Sequence, residues 1–263
     1  MSETFRNIHV FLTGQEAGIA AGKAVEERLV ALQRQRDVIR IIFAAAPSQD
    51  HLLAYLASST RIQWEKIIAF SMDEYLELPD DAPQLFSRYL ENNLFSKVAL
   101  KEIHTIDTQR PVAEEIARFT ALINAGTIDI VCLGIGENGH VAFNDPPVAD
   151  FEDPQTIKQV DLDLTCRMQQ VHDGCFSSLE EVPATALTLT IPALLRGESL
   201  FCVVVGNHKK EAVKQTLTGP IDPSCPASIL QTRPDCQYYF DRDAFGAINL
   251  DDIQPQETNF NSN

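Results

Sequence analysis

The stretch IDIVCLGIGENGHVAFNDPP, residues 128–147, joins an apolar, β-branched run to a glycine-rich turn. The run predicts a buried strand, and the turn presents His140 five residues before the carboxylate of Asp145. In α/β proteins, ligands bind just beyond the carboxyl ends of the strands. An imidazole beside an acid at that position suits proton transfer, so this turn is the first candidate site.

The rest of the chain alternates strand-like and helix-like segments, which predicts a doubly wound α/β domain. We expect a mostly parallel, Rossmann-like sheet with helices on both faces, in one domain over residues 1–250. The polar tail, 251–263, is expected to be flexible. Tyr238–Phe240 is typical of an edge strand, and Thr165–Glu181 is predicted to be a poorly periodic, mobile lid. The other predicted strands are Ile8–Leu12, Val38–Ala45, Ile67–Ser71, Ile103–Ile106, Ile157–Leu162, Thr185–Ile191 and Leu200–Val205.

The charge balance limits the classes of partner. The 263 residues include 37 Asp and Glu against 21 Lys and Arg, a formal net charge of −16. That balance argues against binding to nucleic acid or to anionic membranes. An anionic substrate would need local cations to overcome the overall field.

Cysteine usage and hydropathy indicate the compartment. The six cysteines lack C-x-x-C spacing, so we expect neither a metal site nor disulfides. No apolar run approaches the ~20 residues that a membrane-spanning helix needs, and no secretory signal pattern opens the chain. These features predict a cytoplasmic protein.

The glycine turn has more than one interpretation. Gly134, Gly136 and Gly139 match the G-x-G-x-x-G pattern of dinucleotide-binding loops. That pattern requires a long following helix, whereas Pro146 and Pro147 would end one within two turns. A dinucleotide cofactor is therefore disfavoured. A plain turn with a solvent-facing His140 remains the simplest alternative.

A second candidate is the acidic segment MDEY, residues 72–75, which follows the apolar run Ile67–Ser71. We expect Asp73 and Glu74 in a loop at the same sheet edge as His140. Solvated surface acids are the alternative interpretation. The coincidence of an acidic loop and a histidine loop at two strand ends favours a joint site.

Together, MDEY and the block GIGENGHVAFNDP resemble the glucosamine-6-phosphate deaminase (isomerase) family. The similarity continues through VPATALT, residues 182–188, and VGNHK, residues 205–209. The related 6-phosphogluconolactonases share the fold and the glycine–histidine element. The resemblance implies conversion of an aminosugar phosphate to a ketose phosphate with release of ammonia, without metal or redox cofactor.

The resemblance also implies roles for individual residues. Asp73 would be the base for the C2 proton, and His140 would serve ring opening, with Asp145 holding its imidazole. Many family members have Asp at the position of Asn138, which cannot relay a proton but can form hydrogen bonds. Gly136 is placed among the substrate contacts.

The phosphate-binding residues depart further from the family pattern. The usual glycine-containing turn is replaced by FAAAPSQD, residues 43–50, whose path must differ because alanines disfavour positive φ. Ser48 and Gln49, at a helix start, are the candidate donors to phosphate. Lys209 matches the family's phosphate lysine. The expected lid arginine is not evident, and Arg167 or His172 are the substitutes.

Three alternative functions remain. A sugar-phosphate lactonase needs a histidine base but no enolising carboxylate. A sugar-phosphate-sensing regulator on the same fold normally carries a DNA-binding helix-turn-helix, for which Met1–Phe5 leaves no room. A catalytically silent member would be consistent with the altered phosphate loop. The predicted partner is a phosphorylated amino sugar, and a homo-oligomer is compatible with the sequence.

Overall fold

The computed structural model of the chain describes residues 7–249 and residue 253. The helices are α1 (Gly14–Gln33), α2 (Asp50–Ser58), α3 (Phe86–Asn93), α4 (Val112–Asn124), α5 (Leu164–His172), α6 (Ile191–Leu195), α7 (Lys210–Thr218) and α8 (Arg242–Phe245). The strands are β1 (Ile8–Phe11), β2 (Ile39–Phe43), β3 (Ile67–Ser71), β4 (Asp73–Tyr75), β5 (Glu102–His104), β6 (Ile130–Leu133), β7 (Ile157–Asp161), β8 (Thr185–Leu189), β9 (Ser199–Val204) and β10 (Gln237–Asp241).

Seven strands form a parallel sheet in the order β1-β10-β9-β6-β2-β3-β5. From β2 the chain winds toward β3 and β5, whereas from β6 it winds toward β9 and β10. The loops after β2 and β6 therefore diverge, which opens a crevice at the carboxyl ends of these strands. The FAAAPSQD loop and the His140 turn are the two loops that border it.

Helices cover both faces of this sheet, because successive residues of each buried strand point to opposite sides. In β2, Ile41 packs into a core with α1, α2 and α3, whereas Ile42 packs into a second core with α4, α7 and α8. The predicted doubly wound α/β fold is confirmed. No described helix combines the length and apolar content required to cross a bilayer.

Three strands outside the main sheet form a second, antiparallel sheet in the order β4-β8-β7. The sequence predicted the strands at 157–162 and 185–191, but not this separate pairing. The prediction that Asp73 and Glu74 lie in a loop was wrong: both belong to β4, where Asp73 pairs with Thr188 of β8. The second sheet thereby attaches the acidic segment to the body of the protein.

Two further expectations need correction. Tyr238–Phe240 is not at an edge, because β10 pairs with both β1 and β9. Thr165–Glu181 is more regular than predicted, because it contains most of α5. The side chain of Asp163 caps the first turn of this helix. Whether the segment moves stays a prediction. The expected flexible tail lies outside the described residues, except for Ile253, which is buried in the second core.

Candidate active site

A cavity of about 470 Å³ occupies the crevice between the diverging loops. Its walls come from residues 44–48 after β2, from Asp73 at the start of β4 and from the turn that carries Gly134 and His140. The loop after β9, the carboxyl end of α5 and the beginning of α3 complete it. The cavity thus collects polar side chains from segments that are far apart in sequence, which is typical of a ligand site.

His140 lies in this cavity with its ring orientation determined by two acceptors. Its Nδ1 is 2.8 Å from Oδ1 of Asn138 and 3.0 Å from Oδ1 of Asp145. Both neighbours are oxygen acceptors, so the neutral ring carries its proton on Nδ1. Nε2 is then left as a proton acceptor, and the structure places the imidazole where a bound ligand could use it.

Asp145 supports the ring from behind and is completely buried. Burial raises its pKa, but hydrogen bonds from His140 and Asn138 and the attraction of the imidazole outweigh burial and lower it overall. Its other oxygen, Oδ2, accepts the backbone N–H of Asp163 at 3.1 Å. Asp145 is therefore an ionised carboxylate that orients His140.

Asn138 connects the parts of this network. Its Oδ1 also accepts the backbone N–H of His140 at 3.0 Å, and its Nδ2 donates to Asp145 at 2.9 Å and to Asp163 at 3.3 Å. A carboxylate at position 138 could not donate to either aspartate without being protonated. The amide therefore suits an orienting role between two acids.

The His140 turn depends on backbone features that the sequence only partly revealed. A Cβ on Gly136 would lie 2.1 Å from Cε1 of His140, so only glycine leaves room for the ring. Ala142 has φ of 50°, a left-handed conformation that is uncommon for alanine. Asn144 holds the turn, since its Nδ2 donates to the carbonyls of Val141 and Leu189, each at 2.9 Å.

Asp73 and Glu74 have different surroundings because adjacent residues of a strand point to opposite sides. Asp73 lines the cavity and is only 6% exposed, and burial, together with the charge of Glu74, raises its pKa well above the usual value. Glu74 instead accepts the backbone N–H groups of Tyr75, Phe86 and Ser87 at 2.8–3.0 Å, at the start of α3. Glu74 is structural, and Asp73 is the acid available for chemistry.

Thr188 links the acidic segment to the histidine turn. It is the β8 partner of Asp73, and its Oγ1 accepts the backbone N–H of Phe143 at 3.1 Å. The same hydroxyl donates to the carbonyl of Leu189. One buried residue therefore connects Asp73, through strand pairing, to the His140 turn, through its hydroxyl.

Only two of the three predicted phosphate-binding residues, Ser48, Gln49 and Lys209, line the cavity. Ser48 and Lys209 line the cavity, but Gln49 is buried with its Nε2 3.3 Å from the carbonyl of Leu133 and 3.4 Å from that of Val203. None of residues 44–49 adopts a positive φ. Lys209 is 3% exposed and forms no hydrogen bond or ion pair with a described residue. Burial lowers its pKa, although Asp173 and Glu137 oppose that effect.

Neither proposed substitute for the lid arginine reaches the cavity. The guanidinium of Arg167 donates to the carbonyls of Leu179 and Val182, at 2.9 and 2.7 Å. His172 pairs with Glu137 at 3.1 Å. Among the described residues, no arginine lines the cavity.

The structure adds polar residues to the cavity that sequence reasoning missed: Gln84, Tyr89, Gln169, Gln170, Asp173 and His208. His208 could have been found as the neighbour of Lys209 in VGNHK. The residues of α5 carried no comparable signal, because only the tertiary packing of this helix brings its last turn to the cavity.

Within the described residues, one group of side chains has metal-ligand spacing: His140, Asp145 and Cys166, whose candidate atoms lie within 4.8 Å of one another. Burial and the neighbouring Asp145 raise the pKa of the Cys166 thiol well above the usual range. A thiol ligates metals as the thiolate. Within this group, His140 and Asp145 already contact each other, with Nδ1 3.0 Å from Oδ1.

The geometry defines an α/β protein with an acid–histidine site at the carboxyl ends of its parallel strands. Comparison with known proteins makes the assignment more specific. Residues 13–238 match the family described as glucosamine-6-phosphate isomerases/6-phosphogluconolactonase. The chain belongs to this family.

Two relatives in the family are glucosamine-6-phosphate deaminases. A glucosamine-6-phosphate deaminase of Listeria innocua is 33% identical over 202 residues, covering 76% of this chain and 84% of that protein. One of Bacillus thuringiensis is 28% identical over 241 residues, covering 90% of this chain and 87% of that protein.

Solved structures show the same fold. A monomeric glucosamine-6-phosphate deaminase superposes with a TM-score of 0.82 at 24% identity, covering 91% of this chain and 98% of that one. The 6-phosphogluconolactonase of Thermotoga maritima superposes with a TM-score of 0.73 at 19% identity, covering 89% and 98%. The fold alone therefore does not choose between the two reactions.

Proposed function

We propose that this protein isomerises and deaminates an aminosugar phosphate, converting glucosamine 6-phosphate, or a close analogue, and water to a ketose 6-phosphate and ammonia. The observation that carries the proposal is the pair formed by Asp73 and His140. Both line one cavity, which Lys209 also lines as a cation for a phosphate. A buried acid of raised pKa beside an oriented imidazole is what two successive proton transfers need.

His140 performs the first step. Its Nε2 takes the proton of the O1 hydroxyl and returns a proton to the ring oxygen, which opens the sugar to the aldehyde. Asp145 stabilises the imidazolium that forms between these two transfers. Asn138 keeps the ring in this orientation but carries no proton.

Asp73 performs the second step. Its carboxylate removes the C2 proton while O1 gains a proton, giving an enolamine across C1 and C2. Asp73 then returns its proton to C1 while the amine loses an N–H proton, which gives an imine at C2. The resulting C2 imine adds water and expels ammonia, leaving the ketose. The raised pKa of Asp73, caused by burial and by Glu74, strengthens the carboxylate as a base.

The phosphate lies at the opposite end in this proposal. Lys209 supplies the charge, and Ser48 supplies a hydroxyl at the start of the helical segment that leads into α2. Gln49, Arg167 and His172 are not assigned a phosphate contact, because their side chains are engaged elsewhere. Gly136 contributes by leaving room for His140. Reaction in the cytoplasm and a homo-oligomeric state remain predictions.

Lactone hydrolysis is the second candidate, since family membership covers it and His140 could serve as its base. That reaction requires no enolising acid, whereas this cavity contains Asp73 in addition. The buried acid favours the deaminase.

A panel of hexosamine 6-phosphates, with ammonia and ketose both measured, tests the proposal against hydrolysis of 6-phosphogluconolactone. Stoichiometric ammonia and ketose from one member, abolished in His140→Gln, is the expected result. Lactone hydrolysis without ammonia would identify a lactonase. Binding without turnover across the panel would identify a regulator or a silent member of the family.

A further inference from the structure

A carboxylate occupies the cationic end of the cavity. Asp173 follows the last residue of α5 and lines the cavity beside His208 and Lys209. Its Oδ1 is 3.6 Å from Nε2 of His208, and its side chain is only 12% exposed. The lysine proposed to receive the substrate phosphate thus shares the cavity with a carboxylate of the protein itself.

Hydrogen bonds to neighbouring residues fix the position of the Asp173 side chain. Its Oδ2 accepts the side-chain amide of Gln169 at 3.2 Å, while Oε1 of Gln169 accepts the backbone N–H of Glu137 at 2.8 Å. This chain of hydrogen bonds joins the end of α5 to the glycine turn. It holds the carboxylate inside the cavity instead of letting it turn to solvent.

Asp173 also acts on Lys209 through its charge. The ammonium group has no hydrogen-bonding partner among the described residues, and burial lowers its pKa. Asp173 is the largest of the influences that oppose burial, followed by Glu137. Because no arginine of the described chain lines the cavity, an incoming anion depends on this lysine and on His208.

We propose that Asp173 is a specificity-determining residue, a resident carboxylate that an incoming phosphate must displace from His208, the neighbour of Lys209. The inference rests on the anion-binding end of the proposed function but not on the reaction. A phosphate monoester carries a charge of about −1.5 to −2 at neutral pH and replaces a single carboxylate with a net gain. A monoanion that displaces Asp173 only exchanges one negative charge for another, so it gains little binding free energy. Asp173 thereby selects for dianionic groups.

Asp173→Asn tests the proposal, with inorganic sulfate as the probe and calorimetry as the measurement. The amide oxygen can still accept from Gln169, so α5 keeps its anchor while the charge is lost. Binding is measured at about pH 6, where a larger fraction of a lysine ammonium group is protonated than at neutral pH. We expect sulfate to bind about tenfold more tightly, the effect of removing one partly screened charge.

The matched control is Asp161→Asn, which removes the same charge from an exposed position in β7. Its sulfate affinity should stay within about twofold of the original protein. Adding Lys209→Met to Asp173→Asn should abolish the gain. Asp173→Ser removes the charge with a shorter side chain, and it replaces Asp173→Asn if the latter lowers the melting temperature.

Unchanged or weaker sulfate binding in a folded Asp173 variant would overturn the proposal, as would an equal gain in Asp161→Asn. Nitrate, a monoanion, should compete with sulfate in Asp173→Asn but not in the original protein; equal competition in both would also overturn it. These measurements involve no turnover. A protein that deaminates no sugar can therefore pass them, and an active deaminase can fail them.

Discussion

Gly136→Ala should disable the site while leaving the fold intact. A methyl group at this position would lie 2.1 Å from Cε1 and 2.3 Å from both nitrogens of the His140 ring. Since Cβ atoms essentially never approach other atoms within 3.0 Å, the ring must move by about 0.9 Å. The ring cannot move freely, because Nδ1 is held by Asn138 and Asp145.

The size of the effect follows from that displacement. A misplacement of about 1 Å in a catalytic group lowers the rate by about 10²-fold, which corresponds to about 2.7 kcal/mol in the activation free energy. Gly136 does not have a positive φ. Alanine therefore suits its backbone and restricts the unfolded chain, which offsets part of any loss in unfolding free energy.

The assay is steady-state ammonia release, combined with an NMR titration of the His140 ring and urea denaturation. Gly126→Ala is the control, because its Cβ would meet only the Arg40 side chain, at 3.4 Å from Cδ, 3.6 Å from Nε and 3.9 Å from Cζ, which are ordinary contacts. We expect a fall of about 10²-fold in kcat for Gly136→Ala and none for Gly126→Ala. A Gly136→Ala protein with the original kcat/KM and an unchanged titration would refute the reasoning.

Three further variants test other parts of the site. Asp73→Asn should lower kcat by at least about 10²-fold. Burial and then Glu74 raise the pKa of Asp73 in the folded protein, so this carboxyl ionises at a lower pH in the unfolded chain and its ionisation destabilises the fold. The variant should therefore resist urea better than the original protein at neutral pH, and equally well below the pKa of the unfolded chain. Thr188→Val leaves the N–H of Phe143 without its acceptor and should lower the unfolding free energy by about 1–3 kcal/mol and kcat by about tenfold. Lys209→Met should raise KM for the phosphorylated substrate by at least about tenfold, with a smaller change in kcat.

Each of these variants has a discriminating comparison. Thr188→Ser restores the hydroxyl and should recover both stability and kcat, whereas failure of this rescue would contradict the positioning role. A stability gain in Asp73→Asn that persists in acid would contradict burial of the ionised carboxylate as its cause. An equal loss of kcat and kcat/KM in Lys209→Met would argue against a binding role for the lysine.

Local sequence patterns predicted most of the strands and helices of the fold. Apolar runs such as Ile67–Ser71 and the helical spacing around Phe119 are properties of short segments, and the structure has the corresponding elements. Tyr238–Phe240 was misplaced because the order of strands depends on which distant segments pair. The antiparallel sheet escaped prediction for the same reason, since β4 has only three residues.

The candidate site was only partly predictable. The sequence pointed to Asp73, His140 and Asp145, because each follows a strand in a recognisable motif. It could not separate Asp73 from Glu74, since the direction of a side chain depends on the pairing of β4 with β8. Arg167 looked like a free cation in the sequence, yet the fold surrounds it with backbone carbonyls.

The sequence by itself determined the α/β class, the turn that carries His140 and the family to which the chain belongs. These depend on residue type and spacing within single segments. Only the tertiary structure decided which acid enters the cavity, that Gln49 and Arg167 face away from it, and that Asp173 and His208 join Lys209. Those outcomes depend on burial and on contacts between distant segments, because the charge and reactivity of a side chain are set by the neighbours that folding brings to it.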